Sequence, residues 1–154
     1  MRFSIFMLPL VVLLSLSVQA EEKDYKDMTL DELGQFKNYV INDVDVRVPV
    51  FLVNNAMDTM SKVATSLSKC EASTYEVKNP IVRRSNTFEI IPSSTGCRLK
   101  YQRLGVITYV CLLTSKKKSV LANEWSKLSQ SPNVLGDLTD VEQSILFDSG
   151  ICKY

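Results

Sequence analysis

The sequence predicts an α+β fold in which a long helix packs on a roughly four-stranded antiparallel sheet, with short N- and C-terminal helices. The first observation is a continuous apolar stripe at helical spacing over residues 50–70. The second is a change to a period of two between residues 73 and 113, which is typical of strands. Helices and strands therefore occur in separate runs, an order that indicates an α+β architecture.

The first 20 residues have the three parts of a cleavable secretory signal peptide. Arg2 supplies a positive start, residues 5–16 are mostly apolar, and a Val-Gln-Ala sequence ending at Ala20 precedes a charged segment. The apolar run is shorter than the ~20 residues with which a helix crosses a bilayer. We therefore expect cleavage after Ala20, a loose charged arm over residues 21–28, one globular domain over residues 29–154 and no stable membrane insertion after cleavage.

Helical segments are predicted at both ends of the domain and after Pro49. Thr29 and Glu32 have the spacing of a capping box and apolar residues follow at helical spacing, so we expect a helix over residues 30–41. Residues 43–50 alternate polar side chains with valines, which predicts a short strand or an extended connector before the long helix over residues 50–70.

The C-terminal third predicts two further helices. One spans about residues 119–128 with Trp125 on its apolar face, and a loop follows over residues 129–136. A second capping box at Thr139 and Glu142 then begins a short helix that extends to about Phe147 and is stopped by Gly150.

Strands are predicted at residues 73–78 and 87–91, followed by a hairpin over residues 97–113. A three-residue loop, Arg103 to Gly105, would pair the flanking residues so that Cys97 lies directly opposite Cys111. Opposed Cβ atoms are close enough for a disulfide. We therefore expect the pairs Cys97–Cys111 and Cys70–Cys152, with the other two connectivities still open.

A long helix laid across an antiparallel sheet that contains a disulfide-bonded hairpin resembles the outline of cystatin-like folds. The resemblance is one of shape alone, because the chain contains no sequence of a cystatin inhibitory loop.

The four cysteines favour two disulfides over a metal site. The cysteines are separated by 27, 14 and 41 residues, and the chain has no histidine. A zinc site would need all four thiolates without a closely spaced pair, which is rare. We therefore expect no metal, no cofactor and an oxidising compartment, either the periplasm or the extracellular space. The absence of an Asn-x-Ser/Thr sequence favours a bacterial envelope protein.

Charge is distributed unevenly along a chain whose formal net charge is +1. Residues 51–120 carry a net charge of +7, whereas residues 21–50 carry −4 and residues 121–154 carry −3. Export and a near-zero overall charge argue against a nucleic-acid partner. Basic residues on the polar face, tip and exit of the hairpin predict a patch for an acidic partner, formed with two valines by Arg98, Lys100, Arg103, Val106, Val110, Lys116, Lys117 and Lys118.

The sequence contains little of the chemistry that enzymes use. Because the chain has no histidine, Ser-His-Asp triads and Cys-His dyads are excluded, and oxidised cysteines would not act as nucleophiles. Two pairs of carboxylates, Asp43 with Asp45 and Asp137 with Asp140, could in principle serve a glycosidase, but acids near a helix start are usually caps. We therefore expect no enzyme.

These observations predict an exported, non-enzymatic protein-binding module that holds another exported protein. It would act as an inhibitor or immunity protein, or as a soluble accessory factor of a pilus or secretion system. One alternative is a small-ligand or lipid carrier with a pocket lined by Met57, Met60 and Tyr109 under the long helix. The other is a hydrolase that uses carboxylates.

Overall fold

The computed structural model describes residues 28–148 and 150–153. The predicted signal peptide and residues 21–27 of the predicted arm lie outside the described residues. The helices and strands are α1 (Leu30–Leu33), β1 (Phe36–Ile41), β2 (Val44–Pro49), α2 (Val50–Lys69), β3 (Ser73–Asn79), β4 (Arg84–Ser93), β5 (Gly96–Arg103), β6 (Ile107–Leu113), α3 (Ser115–Leu128), α4 (Asp140–Gln143) and β7 (Cys152–Lys153). The segment Pro132–Leu135 is a 3-10 helix, and Ser144–Asp148 continues α4 as a π-helix.

The N-terminal segment corrects the prediction of a helix over residues 30–41. The helix α1 is a single turn followed by Gly34, whose φ of 65° is left-handed and ends the helix. The next residues form β1, which pairs antiparallel with β2 through a two-residue turn. Both turn residues, Asn42 and Asp43, have positive φ, the conformation of a type I′ turn that suits the twist of a hairpin.

The long helix α2 confirms the prediction for residues 50–70. Pro49 precedes its first turn, and Val53, Met60 and Leu67 are among the residues of its buried stripe. Cys70 ends the helix in a left-handed conformation, and its amide donates to the carbonyl of Leu67 at 3.0 Å. The helix therefore runs from a proline start to a left-handed C-terminal residue.

The main sheet is antiparallel and has the strand order β3-β4-β5-β6-β7, so it has one strand more than the four expected. Helix α3 packs on one face of this sheet, where the Trp125 indole meets the ring of Phe88 at 5.1 Å and the ring of Tyr101 at 6.1 Å between centroids. Helix α2 contributes to the same core. The described residues therefore form an α+β fold whose five-stranded sheet is covered by helices on one face.

The β5–β6 hairpin has a different register from the predicted one. Its loop begins one residue later, at Leu104, because Leu104 and Gly105 both adopt positive φ and the amide of Val106 donates to the carbonyl of Arg103 at 3.0 Å. Cys97 consequently pairs with Leu113 rather than with Cys111. The pairing register of the hairpin is therefore shifted by two positions. Because side chains alternate between the two faces of a strand, each side chain predicted in a paired strand position of β5 or β6 stays on its predicted face.

The disulfide pairing follows from this register and corrects the predicted one. Cys70 is bonded to Cys97 with a Cα–Cα distance of 5.7 Å, and Cys111 is bonded to Cys152 at 4.0 Å. The expected pairs Cys97–Cys111 and Cys70–Cys152 are therefore wrong. Cys152 lies opposite Cys111 because the C-terminal residues form strand β7, which pairs with β6. No local sequence pattern predicts this strand pairing.

The two C-terminal helices are present, but the expected loop over residues 129–136 contains the 3-10 helix Pro132–Leu135, and the end of the last helix is a π-helix. Helix α3 begins at Ser115, four residues before the expected start, because the hydroxyl of Thr114 accepts a hydrogen bond from the amide of Lys117. The three consecutive lysines therefore lie in the first turns of a helix. The capping box of Thr139 and Glu142 is confirmed.

Candidate functional site

The face of the sheet turned away from the helices forms the candidate site. In β5 and β6 the residues Leu99, Tyr101 and Tyr109 are buried beneath the helices, so their sequence neighbours point to the opposite side. We define the outer-face patch as six residues on adjacent strands that lie on this opposite side: Ile91, Arg98, Lys100, Val110, Leu112 and Lys153.

Strand pairing brings these six residues together. Arg98 lies opposite Ile91 on one side and opposite Leu112 on the other. Val110 likewise lies between Lys100 and Lys153. Residues directly opposite each other on one face of a sheet have Cβ atoms about 4.5–5.5 Å apart. The patch is therefore a continuous surface in which each cation adjoins an aliphatic side chain.

The aliphatic residues of the patch are exposed to solvent. Ile91, Val110 and Leu112 expose 36%, 42% and 43% of their surface. Scattered apolar residues on a surface need no explanation, but a contiguous group with a polar rim is a feature of interaction sites.

The patch is positively charged because its cations are only partly compensated. The carboxylate of Glu89 lies 3.8 Å from the Lys100 ammonium. No ion pair joins Arg98 or Lys153 to a carboxylate within residues 28–148 and 150–153. The outer-face patch therefore combines an aliphatic centre with two cations that pair with no carboxylate in the part of the chain that the structure describes.

The structure separates the residues of the predicted patch. Arg98, Lys100 and Val110 lie together on the outer face. Val106 lies in the hairpin loop and is 65% exposed. Lys116, Lys117 and Lys118 lie on α3, which belongs to the helical layer on the other side of the sheet.

Arg103 leaves the predicted patch for a specific reason. Because the loop begins at Leu104, Arg103 is the last residue of β5 and points to the same side as Tyr101. Its guanidinium donates to the carboxylate of Asp137 at 3.2 Å. The Arg103 side chain therefore serves a contact between the sheet and the segment before α4.

All four carboxylates of the two suggested pairs are exposed. Asp43 occupies the β1–β2 turn and Asp45 follows in β2, both exposed. Asp137 accepts hydrogen bonds from Arg103 and from the Asn42 amide at 3.0 Å, and Asp140 lies in the first turn of α4. No group of three or more metal-ligating side chains occurs among the residues that the structure describes.

A buried carboxylate joins the two C-terminal helices. Glu142 is 4% exposed, and its carboxylate accepts from the Trp125 indole N–H at 2.7 Å and from the Thr139 amide at 2.8 Å. Burial raises the pKa of Glu142, and the hydrogen bonds from the Thr139 amide and the Trp125 indole partly offset this rise. The described hydrogen-bond partners of this carboxylate are the amide of the helix-capping residue Thr139 and the core side chain of Trp125. We therefore assign Glu142 a structural role.

The residues suggested for a carrier pocket belong mainly to the core. Met60 and Tyr109 are 3% and 1% exposed, and Met57 is half-buried against the same cluster. Four grooves on the described part of the molecule are lined by other residues.

Two findings bear on the environment of the chain. All four cysteines are joined in disulfides, which indicates an oxidising environment. Within the described ranges, the helices are too short or too polar to span a membrane.

Comparisons with known proteins identify no relative. No family model, no curated protein and no solved structure matches the chain.

Proposed function

We propose that the chain is an exported, non-enzymatic binding module that holds another exported protein through the outer-face patch. The observation that carries the proposal is the outer face of the five-stranded sheet, where exposed Ile91, Val110 and Leu112 adjoin cations that pair with no carboxylate of the described residues. An aliphatic centre with a charged rim is the usual composition of a protein interface.

The charge of the patch favours a partner with an acidic surface. Arg98 and Lys153 would attract carboxylates during the diffusional encounter, and such steering raises association rates at low salt. The aliphatic side chains between them would then be buried against the partner, which slows dissociation.

The compartment of the proposed function is the periplasm or the extracellular space. The signal-peptide pattern before Glu21 and the two disulfides support this location. A disulfide-linked domain that presents one face of its sheet suits an inhibitor, an immunity protein or a soluble accessory factor of a pilus or secretion system.

Site-specific photo-crosslinking tests the proposal. A photoreactive amino acid in place of Val110 should crosslink to an acidic protein in the exported fraction of the source cells. The matched control places the same group at Asn54, which is exposed on α2, and should not give that product. Recovery of a lipid instead of a protein would favour the carrier alternative.

Charge reversal then tests whether the patch itself binds. Arg98→Glu combined with Lys153→Glu should weaken association with the captured protein by about tenfold or more, mainly through the association rate. Lys69→Glu on the exposed end of α2 is the control for a change of charge. The proposal fails if the double variant and the control bind the captured protein equally well.

A further inference from the structure

A second groove lies away from the outer-face patch, between the β1–β2 hairpin and the turn that joins β3 to β4. Its volume is about 320 Å³. Leu33, Phe36 and residues 47–49 line one side, and Pro80 and Arg83 line the other. The groove therefore depends on elements that the outer-face patch does not use.

The floor of this groove is apolar and firmly packed. Val48 and Leu52 are 5% and 6% exposed, and Pro49 between them is also buried. The amide of Val50 donates to the carbonyl of Gln35 at 2.8 Å, which ties the start of α2 to the segment before β1. A large apolar side chain entering the groove would therefore meet a preformed surface.

The rim of the groove carries two arginines. The Arg47 guanidinium lies 5.9 Å from the centroid of the Phe36 ring, a geometry in which the ring attracts the cation. Arg83 lies in the turn with a φ of 53°. Both side chains are exposed, and neither forms an ion pair in the part of the chain that the structure describes.

A buried asparagine holds the turn that presents Arg83. Asn79 is 4% exposed, and its side-chain oxygen accepts from the amides of Ile81 at 3.0 Å and Val82 at 3.4 Å. Its side-chain nitrogen donates to the carbonyl of Leu135 at 2.8 Å. The position of Arg83 is therefore set by the core rather than by the solvent-exposed turn alone.

We propose that this groove binds an extended peptide segment in which a carboxylate adjoins a large apolar side chain. The apolar side chain packs on Val48 and Leu52, and the carboxylate pairs with the guanidinium groups of Arg47 and Arg83. Guanidinium groups match carboxylates in geometry as well as in charge, which gives the site its preference for acidic peptides. This site goes beyond the outer-face binding proposed above and does not depend on it.

Peptide display tests this proposal without a known ligand. A random peptide library selected on the immobilised full-length mature protein should yield sequences with an aspartate or glutamate beside a leucine, phenylalanine or other large apolar residue. The best such peptide, labelled with fluorescein, then serves as the probe in fluorescence polarisation measurements.

Matched variants locate the binding of that peptide. Arg47→Gln and Arg83→Gln should each weaken the affinity for the peptide by about tenfold or more, since each removes a charged hydrogen-bonding group. Arg84→Gln, one residue further along the chain, does not line the groove and should change the affinity by less than about threefold. Urea denaturation of each variant checks that the fold is retained.

Two outcomes would overturn the groove proposal. The first is that the selected peptides lack the acidic–apolar pair. The second is that a folded chain with both Arg47→Gln and Arg83→Gln binds the peptide as well as the unaltered chain does. The Arg98→Glu and Lys153→Glu chain should still bind the peptide, so failure of this site is distinguishable from failure of the outer-face patch.

Discussion

Glu142 combines a contact that the sequence predicts with one that only the folded core reveals. The capping box predicted its contact with Thr139, and the structure adds the Trp125 indole as a second partner from α3. The cap is therefore also the polar link between two helices, buried beneath the aromatic cluster of the sheet.

The raised pKa of Glu142 predicts a pH dependence of stability. Because the folded pKa lies above the ordinary value of 4.5, the native state holds a proton more tightly than the unfolded state does. The stability that Glu142 contributes is therefore greatest at low pH and is lost as pH rises from about 4.5 through the folded pKa. Lowering the pH from about 7 towards 4.5 should stabilise the unaltered chain relative to Glu142→Gln.

Urea denaturation of both chains across this pH range measures the difference in free energy of unfolding. Glu76→Gln, which removes one exposed carboxylate from β3, is the matched control for the change in charge. A difference between the Glu142→Gln and unaltered chains that stays constant with pH would contradict the assignment.

Asn79 is a second residue whose role only the folded chain reveals. In the sequence, Asn79 and the following proline indicate only a turn. In the folded chain, the buried side chain of Asn79 makes three hydrogen bonds. Asn79→Ala leaves these backbone groups without their partner and should lower the free energy of unfolding by about 2–3 kcal/mol. Urea denaturation measures this loss, and Asn54→Ala on the exposed side of α2 should change stability by less than about 0.5 kcal/mol.

At the scale of elements, the long periodic segment of α2 was predictable and the N-terminal segment was not. The apolar stripe of α2 extends over five turns, so its period is unambiguous. The segment over residues 30–41 offers only a few apolar positions at helical spacing, too few to establish a period. Tertiary packing decides the outcome, because Ile41 is buried in the core while Val40 is 61% exposed.

The β5–β6 hairpin shows why the pairing register of two strands is harder to predict than the sheet face on which each side chain lies. Alternation in β5 and β6 correctly places Leu99, Tyr101 and Tyr109 on one side. The loop position, however, depends on which residues adopt positive φ, and Leu104 does so although it is not glycine. The one-residue error in the loop produced the wrong cysteine pairing and placed Arg103 at the hairpin tip instead of at the end of β5.

The β1–β2 turn permits a prediction of increased stability. Asp43 has a φ of 62° at the second position of the type I′ turn, where glycine is the preferred residue. Asp43→Gly removes the side-chain strain of the left-handed conformation and should raise the free energy of unfolding by up to about 1 kcal/mol. Asp45→Gly, placed in β2 itself, should instead lower it by about 0.5–1 kcal/mol, and thermal or urea denaturation distinguishes the two signs.

At the scale of the whole molecule, the candidate patch was only half predictable. Arg98, Lys100 and Val110 share one hairpin, so alternation alone groups them. Ile91 joins them from β4 and Lys153 from β7, and these neighbours depend on strand order rather than on local sequence. An interaction surface on a sheet is assembled across strands, which a pattern along one strand cannot reveal.

The two disulfides connect the periphery of the fold to the centre of the sheet. One joins the end of α2 to β5, and the other joins the short terminal strand β7 to β6. Strand β7 has two residues and would be marginal as an edge strand without its covalent bond. The disulfide Cys111–Cys152 therefore holds Lys153 beside Val110 in the outer-face patch.

Tryptic mapping of the native protein tests this connectivity directly, because each cysteine falls in a different tryptic peptide. Unfolding without reduction, followed by digestion, should link peptide 70–78 to peptide 85–98 and peptide 104–116 to peptide 128–153. Each link should vanish on reduction. A link between peptides 85–98 and 104–116 would instead report Cys97–Cys111, and would mean that the hairpin register and the attachment of β7 both differ from the structure. Because β7 supplies one cation of the outer-face patch, the same mass spectrum also decides whether that patch can exist in its described form.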